Sequence, residues 1–299
     1  MRWIPLLALF LALPVPAAAP TVFTYMSPES EQDPRVTYDR ELLRLVLEKT
    51  RASHGDYRLQ AAPPMTLARM WISLRFDHYP NLFAMDSYHS DRDMTGVDYV
   101  RFPIHLGIVS YRICFVSPQQ KEAVARVTSL EQLKKFDLGQ GKGWLDVKIL
   151  QQAGFRVQEI EGYEQLFKMV ARGRFDLFCR GINELPQEKL NHKGIKGLVM
   201  DENIALYYPL PRVFFTHNAN RQAIQRVQAG LKAAWRDGSL QAHWLKTFKP
   251  ALDFARLDKR RLFRLDNPQL RELEIDYRDY TYDPLRGTFG SGGTRNGEP

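Results

Sequence analysis

Cysteine is scarce in this chain of 299 residues, because Cys114 and Cys179 are the only two and they lie far apart in apolar runs. No C-x-x-C pair and no His/Cys cluster occurs, which excludes the usual zinc-site spacings. Isolated cysteines inside strands are more often buried thiols, although an oxidising compartment would permit a bridge. The sequence therefore favours two buried thiols, leaves a disulfide open, and predicts no metal and no cofactor.

Long basic blocks and catalytic motifs are lacking as well. The net charge is +8, but Lys and Arg alternate with Asp and Glu, as in "RLDKRRLFRLDNPQLRELEIDYRDY". This scattered pattern is typical of a solvated surface, so no nucleic-acid partner is predicted. No G-x-S-x-G or H-E-x-x-H motif is present, and the seven histidines are dispersed. The sequence therefore offers no catalytic residue to name.

Long apolar runs are confined to the start of the chain. Arg2 precedes "WIPLLALFLALPV", which is too short to span a bilayer comfortably, and small residues follow in "PVPAAAP". This pattern predicts a signal peptide over residues 1–17, with cleavage after Ala17. No cysteine follows the apolar run, so a lipid anchor is not expected, and no later segment reaches 18 apolar residues. We therefore expect a soluble periplasmic protein.

The rest of the chain alternates between strand and helix patterns. Residues 21–85 read as strand, helix, strand, helix and strand, and the alternation restarts over 129–179. Two apolar stretches, 101–118 and 203–218, read as extended segments that cross between two units. An amphipathic helix over 220–238 is expected to pack on the first unit. The pattern predicts an α/β protein with two lobes.

Domain boundaries follow from this order. Lobe 1 is expected to comprise residues 18–110 with 212–250, and lobe 2 residues 111–211. Residues 251–299 form a C-terminal extension without a derived role, and the last ten residues are expected to be disordered. Ligands of open α/β sheets bind at the carboxyl ends of strands, which here would face a cleft between the lobes. Closure of that cleft would bury the ligand.

Several segments resemble the family-3 periplasmic solute-binding proteins over roughly residues 21–248. They include "YDRELLRLVLEKT", "VDYVRFPIHLG", "SLEQLKKFDLGQGKG" and "YEQLFKMVARGRFDLF". "PIHLGIVSYRICFV", "GQGKGWLDVKIL" and "YYPLPRVFF" resemble a poorly characterised, amino-acid-transport-like branch of that family. The resemblance implies a type II bilobal periplasmic-binding-protein fold, with two doubly wound α/β lobes joined by two hinge strands. It also implies capture of a small polar solute for an ABC transporter.

The resemblance implies site residues as well. In the amino-acid binders an arginine after the third strand clamps the α-carboxylate, and Arg92 lies near that place. Their second-lobe loop usually carries Gly-Thr, where this chain has "GKGW", with Gly141, Gly143 and Trp144. Their ammonium-binding Asp corresponds to Arg180. A cation thus stands where the family places an anion, so we expect a solute with an anionic group rather than an α-amino acid in the usual pose.

The arginines have alternative interpretations. Arg180 offers a planar fork of donors to a carboxylate or phosphate, or it pairs internally with Glu184 or Asp146. Glu184 would accept a ligand ammonium or hold Arg180 in place. Arg112 would contact the ligand or form a salt bridge at the hinge. For each of these three residues, the sequence leaves both interpretations open.

Tyr25 and Glu29 complete the predicted ligand-binding set, and the glycine loop with Trp144 has interpretations of its own. Tyr25 and Glu29 follow the first strand, where the family often places an aromatic wall, and core packing is the alternative for Tyr25. The glycine loop over 139–143 precedes a helix, where free N–H groups favour an anion. Trp144 would stack on the ligand or pack internally.

The predicted function is therefore solute binding in an interlobe cleft by a monomer that delivers its small molecule to a membrane permease. A periplasmic sensor that docks on a membrane receptor needs the same cleft and is the first alternative. Some relatives of this fold are dehydratases, so a lyase is the less favoured alternative. A neighbouring gene for a permease or for a histidine kinase would discriminate transport from sensing.

Overall fold

A computed structural model describes residues 19–27 and 35–290. The predicted signal peptide, Glu29 and residues 291–299 lie outside this part. The strands are, in chain order, β1 (Thr21–Tyr25), β2 (Tyr57–Ala61), β3 (Leu82–Ser87), β4 (Val97–Tyr99), β5 (Tyr111–Val116), β6 (Asp137–Gly141), β7 (Arg156–Ile160), β8 (Leu177–Gly181), β9 (Val199–Met200), β10 (Ile204–Tyr207), β11 (Arg212–His217), β12 (Arg261–Arg264), β13 (Tyr282–Asp283) and β14 (Thr288–Phe289).

Helices alternate with these strands, as the sequence predicts. They are α1 (Arg35–Lys49), α2 (Arg51–His54), α3 (Leu67–Arg75), α4 (Lys121–Ala125), α5 (Leu130–Leu133), α6 (Leu145–Gln152), α7 (Tyr163–Ala171), α8 (Leu185–Asn191), α9 (Arg221–Arg236) and α10 (Ser239–Ala255). Thr66 and Ser129 cap α3 and α5, because each side chain accepts a hydrogen bond from a backbone N–H three residues later. In residues 19–27 and 35–290, none of these helices combines the length and apolar character that crossing a membrane needs.

The first sheet, with the helices around it, forms lobe 1. Its strand order is β2-β1-β3-β11-β4, in which β1 runs parallel to β2 and β3 while β11 runs antiparallel to β3 and β4. Helix α9 packs against α1 in this lobe, as expected. Gly230 permits the close approach, since a Cβ there would lie 2.3 Å from the carbonyl oxygen of Val46.

The second sheet is the centre of lobe 2. Its strand order is β12-β10-β5-β8-β6-β7, and β9 pairs with β5. Strands β5 and β8 are antiparallel and place Cys114 opposite Cys179, where the two sulfurs form a disulfide. The expectation of two buried thiols is therefore wrong. The pairing could not be read from the sequence because it depends on the register of two strands that are 65 residues apart.

The chain crosses between the lobes in two adjacent segments. The first is not the long extended segment that the sequence predicts, because Gly107 has a φ of +86° and a 3-10 helix, Ile108–Ser110, precedes β5. The second links β10 to β11. Hydrogen bonds join the two segments, from Tyr208 N to Ser110 O at 3.1 Å and from Leu210 N to Ser110 Oγ at 3.0 Å.

The C-terminal segment, from α10 onward, contacts both lobes. Helix α10 continues to Ala255, so the boundary expected at residue 250 lies inside a helix. Strand β12 then pairs in parallel with β10 and extends the sheet of lobe 2. Farther on, the N–H of Ser90 donates to Gln269 O at 2.9 Å, and the rings of Tyr280 and Trp235 lie 5.1 Å apart. Residues after β12 thus return to lobe 1.

Candidate ligand-binding site

A cavity of about 340 Å³ lies between the two lobes. Its walls come from β1, α1, α3 and β3 with their loops on the lobe 1 side, and from β5, the β6–α6 loop and β8 on the lobe 2 side. Four arginines line it, namely Arg92, Arg112, Arg180 and Arg212. Four carboxylates line it too, namely Asp39, Asp86, Asp146 and Glu184. The volume is at the low end of the range for small-molecule sites.

Arg180 is held by two carboxylates of the protein. Its Nε donates to Glu188 Oε1 at 2.7 Å, and its Nη2 donates to Glu184 Oε2 at 2.8 Å. Burial opposes the charge of Arg180, but the two carboxylates raise the pKa of the guanidinium above its ordinary value. Strand β8 runs through Arg180 to Gly181, later than the sequence predicts, and α8 begins directly after Glu184. The internal ion pair expected with Glu184 is present, and the one with Asp146 is not.

Aromatic rings surround the Arg180 guanidinium. Its Cζ lies 4.8 Å from the ring centre of Trp144, 5.5 Å from that of Tyr163 and 5.6 Å from that of Phe178. The hydroxyl of Tyr163 donates to Glu188 Oε1 at 2.7 Å. Burial raises the pKa of Tyr163 above its ordinary value, and the negative charge of Glu188 is the next largest cause. Tyr163 therefore stays a neutral donor. Arg180 is thus fixed in place by its own lobe.

Arg112, near the start of β5, has a comparable internal partner. Its Nη2 lies 3.0 Å from Asp146 Oδ1, and the hydroxyl of Tyr208 donates to the same oxygen at 2.6 Å. Burial opposes ionisation of Asp146, yet Arg112 and Tyr208 hold the pKa of that carboxyl below its ordinary value. Gly181 leaves room for this arginine, because a Cβ there would lie 2.9 Å from Arg112 Nη1. The salt-bridge alternative for Arg112 is therefore present.

The glycine loop supports Trp144. A Cβ on Gly141 would lie 2.2 Å from the Trp144 ring, so only glycine allows the indole to lie against the end of β6. Gly143 has a φ of +75°, and its N–H donates to Glu159 Oε2 at 3.0 Å. Gly143 and Trp144 line the cavity. One N–H that was expected to favour an anion thus contacts a carboxylate of the protein.

Arg92 lies on the opposite wall, in the loop after β3. Its Nη2 is 3.1 Å from Asp86 Oδ2, and its Cζ lies 4.0 Å from the ring centre of Trp71. The indole N–H of Trp71 donates to the same Asp86 oxygen at 3.1 Å. Burial lowers the pKa of Arg92 from its ordinary value, while Asp86 acts in the other direction.

The remaining predicted residues do not join this group. Tyr25 ends β1 and its half-buried ring packs against the main hydrophobic core, whereas the next two residues, Met26 and Ser27, line the cavity. Glu29 falls outside the described residues.

Arg212 is the functional candidate that the sequence reasoning missed. It is the first residue of β11, directly after the second crossing, and it lines the cavity. A signal was available, because Arg112 and Arg212 both stand at the start of the strand that follows a crossing, in "SYRICFV" and "PRVFF".

Methionines on the lobe 1 side were also missed. Met26, Met65, Met70 and Met85 line the cavity, which is half of the eight methionines in the chain. Met26 follows β1, Met85 lies within β3, and Met65 and Met70 lie before and within α3. Methionine at such positions is ordinary core material, so these residues do not stand out in the sequence.

One ion pair joins the lobes beside the cavity. Lys148 Nζ of α6 donates to Asp91 Oδ2 at 3.0 Å. Lys148 follows Asp146 by two residues and Asp91 precedes Arg92, so the pair connects the segments that carry cavity residues.

Across the described ranges, no group of three or more His, Cys, Asp or Glu side chains has the arrangement of a metal site.

No family model matches the sequence, and no curated protein matches it. Solved structures do resemble it. An ancestral arginine-binding protein bound to arginine superposes with a TM-score of 0.53 at 14% identity, covering 76% of this chain and 98% of its own. AncCDT-1, an ancestral amino-acid-binding protein and precursor of cyclohexadienyl dehydratase, gives 0.52 at 13% identity, covering 76% and 96%.

A third such structure has a different role. It is a histidine kinase sensor domain with similarity to periplasmic binding proteins, with a TM-score of 0.51 at 12% identity, covering 76% of this chain and 95% of its own. At these identities the likeness concerns the fold. The resemblance predicted from the sequence is confirmed at that level: the chain has the bilobal periplasmic-binding-protein fold.

Proposed function

We propose that this protein is an extracytoplasmic solute-binding protein that captures a small polar solute between its lobes for a membrane permease. The observation that carries the proposal is the cavity of about 340 Å³ with charged side chains from both lobes on its walls. A solute that contacts both walls stabilises the closed arrangement, and a membrane partner can read that arrangement. Solved structures of this fold include an arginine-binding protein bound to arginine, which supports binding of a small molecule here.

The solute is proposed to carry an anionic group. Arg92, Arg112 and Arg212 each have a buried Nε, and none of these atoms has a hydrogen-bond partner within residues 19–27 and 35–290. A buried donor without an acceptor costs free energy, and an anionic ligand group would supply the missing acceptor. The guanidinium groups line one cavity, so one solute could reach more than one of them.

A thermal-shift screen of the mature protein tests the proposal. Amino acids, mono- and dicarboxylates and sugars are compared, and hits are measured by isothermal titration calorimetry. A solute at about 100 times its Kd stabilises the native state by about 2.7 kcal/mol, which raises Tm by several degrees. Stabilisation by neutral sugars alone would contradict the anionic group, and no hit in any class would contradict solute binding.

A matched pair of variants locates the site. Leu67 and Ile72 both lie on α3 with similar exposure, 55% and 51%, but only Leu67 lines the cavity. Leu67→Trp places an indole at the cavity wall and should weaken binding of the best solute, whereas Ile72→Trp should not. Equal affinities for the two variants would place the site elsewhere.

A further inference from the structure

Arg212 differs from the other three cavity arginines. Arg92 contacts Asp86, Arg112 contacts Asp146, and Arg180 contacts Glu184 and Glu188. For Arg212 no ion pair and no side-chain hydrogen bond is found among the residues that the structure describes, and its Nε is fully buried. It is the one cavity arginine whose charge no carboxylate in this part of the chain contacts directly.

The surroundings of Arg212 disfavour its charge. Burial lowers the pKa of its guanidinium, and the positive charge of Arg112 adds to this effect, whereas Glu184 acts against it from a distance. Arg212 is half-buried and its Nε is fully buried, so its charge, which no carboxylate of the described residues contacts, costs free energy that a bound anion recovers. An anion can therefore bind at Arg212 without displacing any carboxylate of the described residues.

The carboxylates on the walls, in contrast, are engaged. Asp86, Asp146 and Glu184 contact the arginines named above, and Asp39 Oδ1 lies 2.9 Å from Nε2 of His105. A ligand ammonium would have to compete with these partners. Among residues 19–27 and 35–290, the cavity thus presents one cation that no carboxylate contacts directly, and each of its four carboxylates has a partner.

The lobe 1 wall is suited to an apolar body. Met26, Met65, Met70 and Met85 line it together with Leu67. Methionine side chains are flexible and polarisable, so they adapt to apolar groups of different shape.

We infer that the cavity takes a small organic monocarboxylate with an apolar body and no cationic group, its carboxylate on Arg212 and its body on the methionines. The inference rests on the proposed function and narrows its ligand class. Arg212 thereby becomes the residue that determines specificity for the charged end.

Calorimetric titration of the mature protein with matched compounds tests the class. The monocarboxylates are butanoate to octanoate, 4-methylpentanoate and 3-phenylpropanoate. Leucine is compared with 4-methylpentanoate, and phenylalanine with 3-phenylpropanoate, because each amino acid adds only an ammonium group. Glutarate is compared with pentanoate, because it adds only a second carboxylate. The best monocarboxylate should bind at least about tenfold more tightly than its amino-acid or dicarboxylate partner. If amino acids, dicarboxylates or sugars bind and the monocarboxylates do not, this inference fails alone; if none binds, the proposed function fails with it.

Variants of Arg212 test the residue. Arg212→Met should lower the affinity of the best monocarboxylate by at least about tenfold and leave that of the corresponding neutral amide unchanged. The unliganded variant should have the same Tm as the wild type or a higher one, because the substitution removes a half-buried charge that no carboxylate of the described residues contacts. Arg212→Lys should retain part of the affinity. Unchanged carboxylate affinity in Arg212→Met, or a large fall in its unliganded Tm, would overturn the assignment.

Discussion

The two walls of the cavity differ in how their side chains are held. On the lobe 2 wall, Arg112 and Arg180 are fixed by ion pairs, and Arg180 lies among three aromatic rings. The lobe 1 wall contains four methionines, with Arg92 as its paired cation. The first wall has its geometry set before a ligand arrives, and the second can adapt to one. Charge on a cavity wall does not by itself identify the residue that contacts a ligand, since most of the charge here is neutralised within the protein.

Removal of the disulfide should have the largest effect, because it loosens the fixed wall of lobe 2. The bond joins β5 to β8 directly beside the arginines, because Cys114 follows Arg112 by two residues and Cys179 precedes Arg180. For cysteines 65 residues apart, the loss of loop closure amounts to about 4 kcal/mol. Cys114→Ala with Cys179→Ala should therefore lower the urea midpoint of unfolding strongly.

Reduction of the wild type under native conditions provides the control. Both cysteines are buried, with exposures of 0% and 1%, so mild reductant should leave the folded protein unchanged until it unfolds. An unchanged urea midpoint in the double variant would show that the antiparallel backbone pairing and the core hold the two strands together without the bond.

Arg180→Ala should have the next largest effect. The substitution leaves Glu184 and Glu188 buried near each other without their cation, and breaking a buried pair in this way costs about 3 kcal/mol or more. Urea unfolding of the unliganded protein measures the loss. Glu188→Ala and the double variant Arg180→Ala/Glu188→Ala complete a cycle in which the double variant should lose less than the sum of the single ones.

The opposite result for Arg180→Ala would give the lobe 2 wall a different role. If Arg180→Ala left the unliganded protein as stable as the wild type but abolished solute binding, Arg180 would be a ligand contact and not a part of a preset wall. Additive losses in the cycle would likewise remove the ion pair as the cause.

Sequence patterns predicted the fold well because its signals are local. Helical spacing identified α1, α3, α7 and α9, and the capping residue Thr66 identified where α3 begins. The first crossing was predicted as extended because apolar composition does not reveal the turn at Gly107, whose backbone conformation depends on the packed context.

The site was less predictable because its contacts join residues that are distant along the chain. The sequence placed Arg92, Arg112, Gly143, Trp144, Arg180 and Glu184 on the cavity, but it could not say which cation each acid would contact. Asp146 pairs with Arg112 rather than Arg180, and Glu188 was not considered. The position of Arg212 after a crossing is a signal in the sequence, but the sequence does not show that Arg112 contacts a carboxylate whereas no carboxylate of the described residues contacts Arg212.

The ion pair between the two walls should contribute least. Lys148 and Asp91 are each about half exposed, so their attraction is screened by water and salt. Lys148→Ala should weaken solute binding by about threefold at low salt and not measurably at high salt, because the pair favours the closed arrangement only weakly. Lys148 holds the pKa of Asp91 below its ordinary value through their hydrogen bond. The contribution is therefore fully present above the ordinary pKa and is lost as the pH falls from there through the lowered pKa. Lys249→Ala is the matched control, since Lys249 pairs with Asp253 within helix α10 and does not connect the walls. Equal effects of the two substitutions on solute affinity would mean that the interlobe pair has no part in closure. If Lys148→Ala instead weakened solute binding by much more than tenfold, the closed arrangement would depend on this contact far more than its exposure suggests.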